Sequence, residues 1–196
     1  MIKFQKKISP DISIAIWQIE EIEDFFWNLL HLLDKDAKKI KNISLEKVRL
    51  QKLACRAALA QLVGCNEIEI TYSENGQPQL KEHYISFSHT KNTVAVALAN
   101  IPVGIDIEKL TPRILPLYPR FMNNDEIKDC DTHNLQELYY YWCAKEAMFK
   151  WMAIKNLDFI KDLRVYKNEN KGVVFQTKTI QLSHFYIDGK IIVVCY

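Results

Sequence analysis

Residues 12–18, Ile-Ser-Ile-Ala-Ile-Trp-Gln, alternate large apolar positions with small or polar ones, the period of a half-buried strand. The period then changes: residues 20–33 set acids ahead of an apolar stripe and predict an amphipathic helix. A second, longer helix is predicted over 44–63, with Ser44 as N-cap, Glu46 in its first turn and Gly64 placed to end it. Residues 67–80 read as a strand running into an Asn75-Gly76 turn, and three further strands follow at 84–89, 93–99 and 103–108. Beyond a proline-bearing loop at 110–120 come a short helix near 123–130 and a long one at 134–152. Strands near 162–167, 172–176, 179–187 and 190–195 complete the chain, the last two joined at Asp188-Gly189. Strand, helices, then strands occurs twice. The expected class is α+β, in two successive halves that meet near residue 100.

Two stretches break this patterning. In the long helix Leu135, Leu138, Tyr139, Trp142 and Phe149 mark one apolar face, and the same stripe carried four residues past Trp142 lands on Glu146, with Lys145 beside it. In the strand Val103-Gly-Ile-Asp-Ile-Glu108, the period of two puts Val103, Ile105 and Ile107 on one face and Asp106 with Glu108 on the other. The run around them is apolar on both sides, as in an interior strand. An ionised carboxylate held out of water must find a cation or take up a proton. One solution is structural, with Lys145 and Lys150 neutralising Glu146, the latter at i+4. The other is a divalent metal: three carboxylates from a strand and a helix suit Mg²⁺, which completes its shell with waters and phosphate oxygens. No His or Cys spacing favours zinc.

Basic and polar residues offer a complementary set. The helix 44–63 carries Lys47, Arg49, Lys52 and Arg56, with Arg49 and Arg56 two turns apart on one face. Ser88 and His89 end the strand at 84–89. Each alone reads as a solvated face or a satisfied structural residue. Beside a metal-seeking acid cluster they would complete a site for a nucleotide polyanion.

Composition narrows the classes. The 196 residues are 48% hydrophobic, with 26 Lys+Arg against 24 Asp+Glu and a net charge of +2. That balance gives no reason to expect nucleic acid or an anionic membrane as partner. Five cysteines with no C-x-x-C pair read as reduced structural thiols. The first ten residues lack the apolar run of a secretory signal, and no segment nears about 20 uninterrupted apolar residues. A cytoplasmic, monomeric protein is expected.

These residues resemble a family. Gly104-Ile-Asp-Ile-Glu108 followed by Trp142-Cys-Ala-Lys-Glu-Ala-Met-Phe-Lys150 is similar to the two-part signature of the 4′-phosphopantetheinyl transferases. In that signature a glycine, an aliphatic residue, Asp, any residue and Glu precede a helix bearing an aromatic, Lys-Glu and a second Lys four residues after the Glu. Asn75–Leu80 resembles the family's Gly-Lys-Pro turn, 85–90 its serine-histidine strand, 49–56 its arginine-bearing helix, 121–126 its Phe-to-Glu segment and 156–159 the tail after the catalytic helix. Length and the presence of an N-terminal half point to the Sfp-type branch. Gln77 replaces the usual lysine of the turn, Thr90 replaces a serine, and no glycine follows Lys150.

The resemblance implies a pseudo-dimer of two similar α/β subdomains in one chain. Residues 1–100 would carry coenzyme A-binding elements, 101–196 the metal and catalytic residues, and the site would lie at their interface. It implies transfer of 4′-phosphopantetheine from coenzyme A to a serine hydroxyl of an apo acyl or peptidyl carrier protein, leaving 3′,5′-ADP. Asp106, Glu108 and Glu146 would hold Mg²⁺ or Mn²⁺. Glu146 and Lys150 would be catalytic, and Arg49, Arg56, Ser88, His89 and Lys150 would bind coenzyme A. Arg113 and Arg120, in the loop 110–121, would steer an acidic carrier, or the loop is a packed connector. Two alternatives remain: a catalytically degenerate binder of coenzyme A or carrier protein, and a phosphodiester hydrolase, which would want more His/Asp ligands.

Overall fold

In the computed structural model, which describes residues 1–196, the alternating run at 12–18 is β2 (Ile12–Gln18). It pairs antiparallel with β1 (Ile2–Ser9), a strand the polar-rich N-terminus did not announce. Both faces of β2 are covered: Ile12, Ile14 and Ile16 are buried, and so are Ala15 and Trp17. The helix expected at 20–33 is shorter, α1 (Glu23–Leu29), because Leu30 turns extended and the chain continues into β3 (His31–Leu32). Two more helices follow, α2 (Asp34–Lys41) and α3 (Glu46–Val63). Leu45, not Ser44, stands at the N-cap of α3, with no side-chain capping bond. Gly64 ends it in the left-handed conformation, its N–H donating to the Ala60 carbonyl, a backbone state that glycine adopts without strain.

The expected strand at 67–80 is three two-residue ladders, β4 (Glu67–Ile68), β5 (Thr71–Tyr72) and β6 (Pro78–Gln79). After them come β7 (Tyr84–Thr90) and β8 (Thr93–Ala99). The six-stranded sheet runs β1-β2-β8-β7-β6-β5, while β3 and β4 pair in parallel. Against it α3 buries Leu53, Ala54, Ala57, Ala58 and Leu59 among Phe26, Ile85, Val94 and Val96. Together these elements make the first of two units, Met1–Pro102.

The second unit, Val103–Tyr196, begins with β9 (Gly104–Lys109). The proline-bearing loop folds into two single 3₁₀ turns, Pro112–Ile114 and Tyr118–Arg120. A short helix α4 (Asn124–Lys128) starts with a full capping box between Asn123 and Glu126, and α5 (Leu135–Met152) is capped by the Asn134 side chain. Four strands close the unit: β10 (Leu163–Tyr166), β11 (Lys171–Val174), β12 (Lys178–Ile187) and β13 (Lys190–Cys195). The order is β10-β11-β12-β13-β9, every neighbour antiparallel, with Asp106 opposite Val193. Within this sheet β9 is an edge strand, not an interior one, although Gly104 through Ile107 are all buried.

One face of the sheet packs on α5, whose Leu138, Tyr140, Tyr141, Ala144, Ala147 and Met148 are inaccessible to water. Of the expected stripe Leu138 and Tyr139 are buried, while Leu135, Trp142, Glu146 and Phe149 are only half-buried and border the core. Gly104 sets how near β9 comes: a Cβ there would lie 2.0 Å from the Ala147 carbonyl oxygen. The even-numbered positions of β9 therefore face α5. No helix is long and apolar enough to cross a membrane, and all five cysteines are free thiols.

Candidate active site

Because Gly104 points at α5, Asp106 and Glu108 do too, and the strand acids meet the helix residues that follow Trp142. Lys150 Nζ donates to Asp106 Oδ1 at 2.6 Å and to the Ile105 carbonyl at 2.9 Å. Asp106 is 5% exposed, and the Lys150 side chain is 25% exposed. Cys143, one turn of α5 before Ala147, packs on the same carboxylate; burial first, then the Asp106 charge, drives its thiol far above the ordinary range. The Glu146 carboxyl is pushed up to about 7, chiefly by burial and then by the Asp106 charge, with Lys150 opposing. Glu108 adds a smaller push in the same direction. Three acids thus share one low-dielectric corner with one ammonium.

Lys145 is not part of that corner. It is the fully buried charge of α5, paired with Glu126 at 2.6 Å, where the sequence suggested Glu146 as its partner. Burial lowers its proton affinity and the Glu126 charge raises it again. Lys150 likewise pairs with Asp106, not Glu146.

Beside the acids lies a cavity of about 510 Å³, lined by Glu108 and Glu146, by Arg113, Ile114, Leu117, Arg120 and Phe121 of the loop, by Tyr139 and Trp142 of α5, and by Phe159. Arg113 bonds Glu108 at 3.2 Å and reaches the Tyr139 hydroxyl, which also shares a 2.8 Å hydrogen bond with Thr111. Tyr139 and Glu126 escaped the sequence reading as site residues. Tyr139 at least stood on the stripe that ends at Glu146.

Of the residues expected to bind coenzyme A, all but Lys150 lie in the first unit. Arg56 is 2% exposed and forked onto Asp36, with bonds at 2.5 and 2.7 Å and a further one to Tyr72 at 3.2 Å. Arg49 bonds Glu23 at 2.7 Å and the carbonyls of Ile43 and Ser44. The two arginines thus serve different acids. Ser88 is buried and His89 exposed, on opposite sides of β7. A separate cavity of about 430 Å³ is lined by Lys47 and Lys91 with Ile19, Leu50, Gln51 and Asn92.

Comparison with known proteins bears on the second unit. Residues 102–195 match the model of the 4′-phosphopantetheinyl transferase superfamily. The second unit is thus similar to that superfamily over nearly its whole length. A 4′-phosphopantetheinyl transferase of Bacillus pumilus, psf-1, is 36% identical over 83 residues, 39% of this chain and 36% of that protein. The transferase Sfp of Bacillus subtilis is 30% identical over 92 residues, 43% of this chain and 41% of the relative. The transferase gsp of Aneurinibacillus migulanus is 23% identical over 134 residues, 65% and 56% of the two lengths. The chain therefore spans well under two thirds of the relatives it matches.

The structure brings Asp106, Glu108, Glu146 and Lys150, the residues of the expected signature, close to one another. No three His, Cys, Asp or Glu side chains stand at the spacing that would hold a metal ion. In donor chemistry Asp106, Glu108 and Glu146 fit a hard divalent cation: all three are carboxylates, and burial, then the Asp106 charge, already favours a proton on Glu146.

Proposed function

We propose that this chain transfers the 4′-phosphopantetheine group of coenzyme A to a serine hydroxyl of an apo acyl or peptidyl carrier protein. The observation that carries the reading is the superfamily match over the unit in which Asp106, Glu108, Glu146 and Lys150 converge. In the reaction the serine oxygen forms a bond to the β-phosphorus of coenzyme A, the bond to 3′,5′-ADP breaks, and the serine proton goes to the protein. Glu146 takes that proton, its high affinity for one suiting a general base near neutral pH. Lys150 orients Glu146 and binds a phosphate oxygen, leaving Asp106 to do so.

Asp106, Glu108 and Glu146 are the residues that would hold Mg²⁺ or Mn²⁺. Such an ion, when bound, neutralises charge on the pyrophosphate. To the first unit we assign the 3′-phosphoadenosine end, through Arg49, Arg56, Ser88 and His89. The lysine-lined cavity at Lys47 and Lys91 supports an anion there, while Arg49 and Arg56 must first exchange Glu23 and Asp36 for phosphate. The cavity beside Glu146 is assigned to the serine-bearing segment of the carrier, with Arg113 and Arg120 attracting its acids. Each unit pairs an antiparallel sheet with one 18-residue helix, which supports a pseudo-dimer of related subdomains. The chain acts as a cytoplasmic monomer.

The test is intact-mass spectrometry of several apo carrier proteins incubated with this protein, coenzyme A and Mg²⁺, with an EDTA control. A gain of one phosphopantetheine, absent with EDTA, is the expected result. No gain on any carrier, with coenzyme A still bound, would establish the degenerate binder instead.

A further inference from the structure

The mechanism uses Glu146 and Lys150 but not the residue between Ala144 and Glu146. Lys145 is 0% exposed, and all three of its ammonium protons are spoken for: Glu126 Oε2 at 2.6 Å, the Phe121 carbonyl at 2.8 Å and the Phe159 carbonyl at 2.7 Å. Glu126, 2% exposed, is equally saturated, accepting from Val165 N at 2.8 Å and from Asn123 N at 2.8 Å. A buried ion pair is poor evidence of stability, because apolar residues of similar volume commonly do as well or better. What apolar residues cannot do is hold two carbonyl groups. Both carbonyls here belong to residues whose rings line the cavity beside Glu146. Both sit in segments without regular structure: Phe121 follows the second 3₁₀ turn, and Phe159 lies in the turn region between α5 and β10. Their rings close on Trp142, at 5.1 Å for Phe121 and 6.0 Å for Phe159.

We propose that Lys145 is a positioning residue: its ammonium, anchored on Glu126, fixes the Phe121 and Phe159 backbones and so sets the aromatic walls of the cavity that receives the carrier. The inference rests on the reading of that cavity as the acceptor site. Lys145 and Glu146 are consecutive on α5, so the group that holds the walls and the group that takes the proton share one rigid element. The geometry between them survives any movement of the loop only while both carbonyls stay bonded.

The test variant is Lys145→Met with Glu126→Gln, which removes both charges together and keeps the glutamine oxygen for Val165 N. It is prepared with 5-fluorotryptophan, the Trp142 resonance being assigned by Trp142→Phe. The expected outcome is a cooperatively unfolding protein whose Trp142 fluorine line shifts or broadens. Its kcat/KM for carrier protein falls 10- to 100-fold, of the order that sub-ångström to 1 Å misplacement costs, and its KM for coenzyme A stays within twofold. An unmoved Trp142 line, or equal losses against both substrates, would overturn the proposal and leave the pair a purely structural one. If the double variant does not fold, Glu126→Gln alone carries the same readouts, with a two- to fivefold loss against carrier expected and no change in either readout overturning. Should the wild type modify no carrier, the functional reading fails by itself, and the Trp142 line still decides whether Lys145 sets the walls.

Discussion

Lys150 Nζ and Asp106 Oδ1 stand 2.6 Å apart, joining α5 to β9 across 44 residues of sequence. The same ammonium caps the Ile105 carbonyl, so helix and strand are tied at the point where the signature's two halves meet. Replacing Lys150 by Met removes the cation from a nearly inaccessible carboxylate. We expect turnover to fall by at least 10²-fold and unfolding free energy to drop by about 1–3 kcal/mol. Saturating Mg²⁺ should raise the melting temperature of the variant more than that of wild type, since no ammonium then competes for Asp106. An equal rise in both, followed by scanning fluorimetry, would contradict the competition.

Glu146→Gln keeps size and hydrogen-bonding reach but cannot accept the proton. The expectation is a 10²- to 10⁴-fold loss in kcat, with the coenzyme A KM changed by much less. Steady-state kinetics in which both change equally would make Glu146 a binding residue only.

Gly104→Ala tests the close approach of β9 to α5. A methyl group 2.0 Å from the Ala147 oxygen cannot be accommodated without moving backbone, and overpacking of this kind costs about 3 kcal/mol. Urea unfolding should show that loss. Any folded fraction should also be deficient in transfer, because Asp106 and Glu108 move with the strand.

Arg49→Ala, in the partly accessible pair with Glu23, should raise the coenzyme A KM and leave dephospho-coenzyme A, which lacks the 3′-phosphate, unaffected. Arg56→Ala should raise that KM in the same way and also lose stability. Its guanidinium is buried on Asp36, so the variant leaves an uncompensated carboxylate and loses about 3–5 kcal/mol of stability. Chemical denaturation of the two variants, side by side, shows the added loss in Arg56→Ala alone.

His184 supplies a pH signature remote from the acids. Its ring packs on Tyr140 at 5.0 Å and Tyr186 at 5.7 Å, and burial, with Lys167 nearby, holds its pKa below the usual value. A depressed histidine stays neutral when folded while the unfolded chain binds a proton. Stability therefore falls as pH drops from the unfolded pKa, about 6.5, toward the folded one. The melting temperature of His184→Gln should decline less than that of wild type across this window, and parallel curves would refute the assignment.

Much of this protein was legible along the chain. Strands at 84–90, 93–99 and 190–195 and the two 18-residue helices follow from periodicity, because a strong apolar period leaves one way to bury itself. Elements with weak patterns escaped. β1 alternates charged and apolar residues with little burial, and β4, β5 and β6 are two residues each, held by the sheet and not by propensity.

The site divides in the same way. The sequence by itself determined which residues are chemically out of place, Asp106, Glu108 and Glu146, since a carboxylate inside an apolar run is costly wherever the chain goes. It also carried the likeness of the second unit to the transferase superfamily, through the order and spacing of those residues. Only tertiary structure decided who neutralises whom. Lys145 and Lys150 are five residues apart, and nothing local says that one serves Glu126 and the other Asp106. Nor does anything local say that Arg56, which reads as a ligand for phosphate, has Asp36 as its partner within the chain. Ion pairing is a through-space relation between groups distant in sequence, so it is settled by packing: by the missing Cβ of Gly104, which lets β9 approach α5, and by the loop carbonyls brought within reach of one buried ammonium.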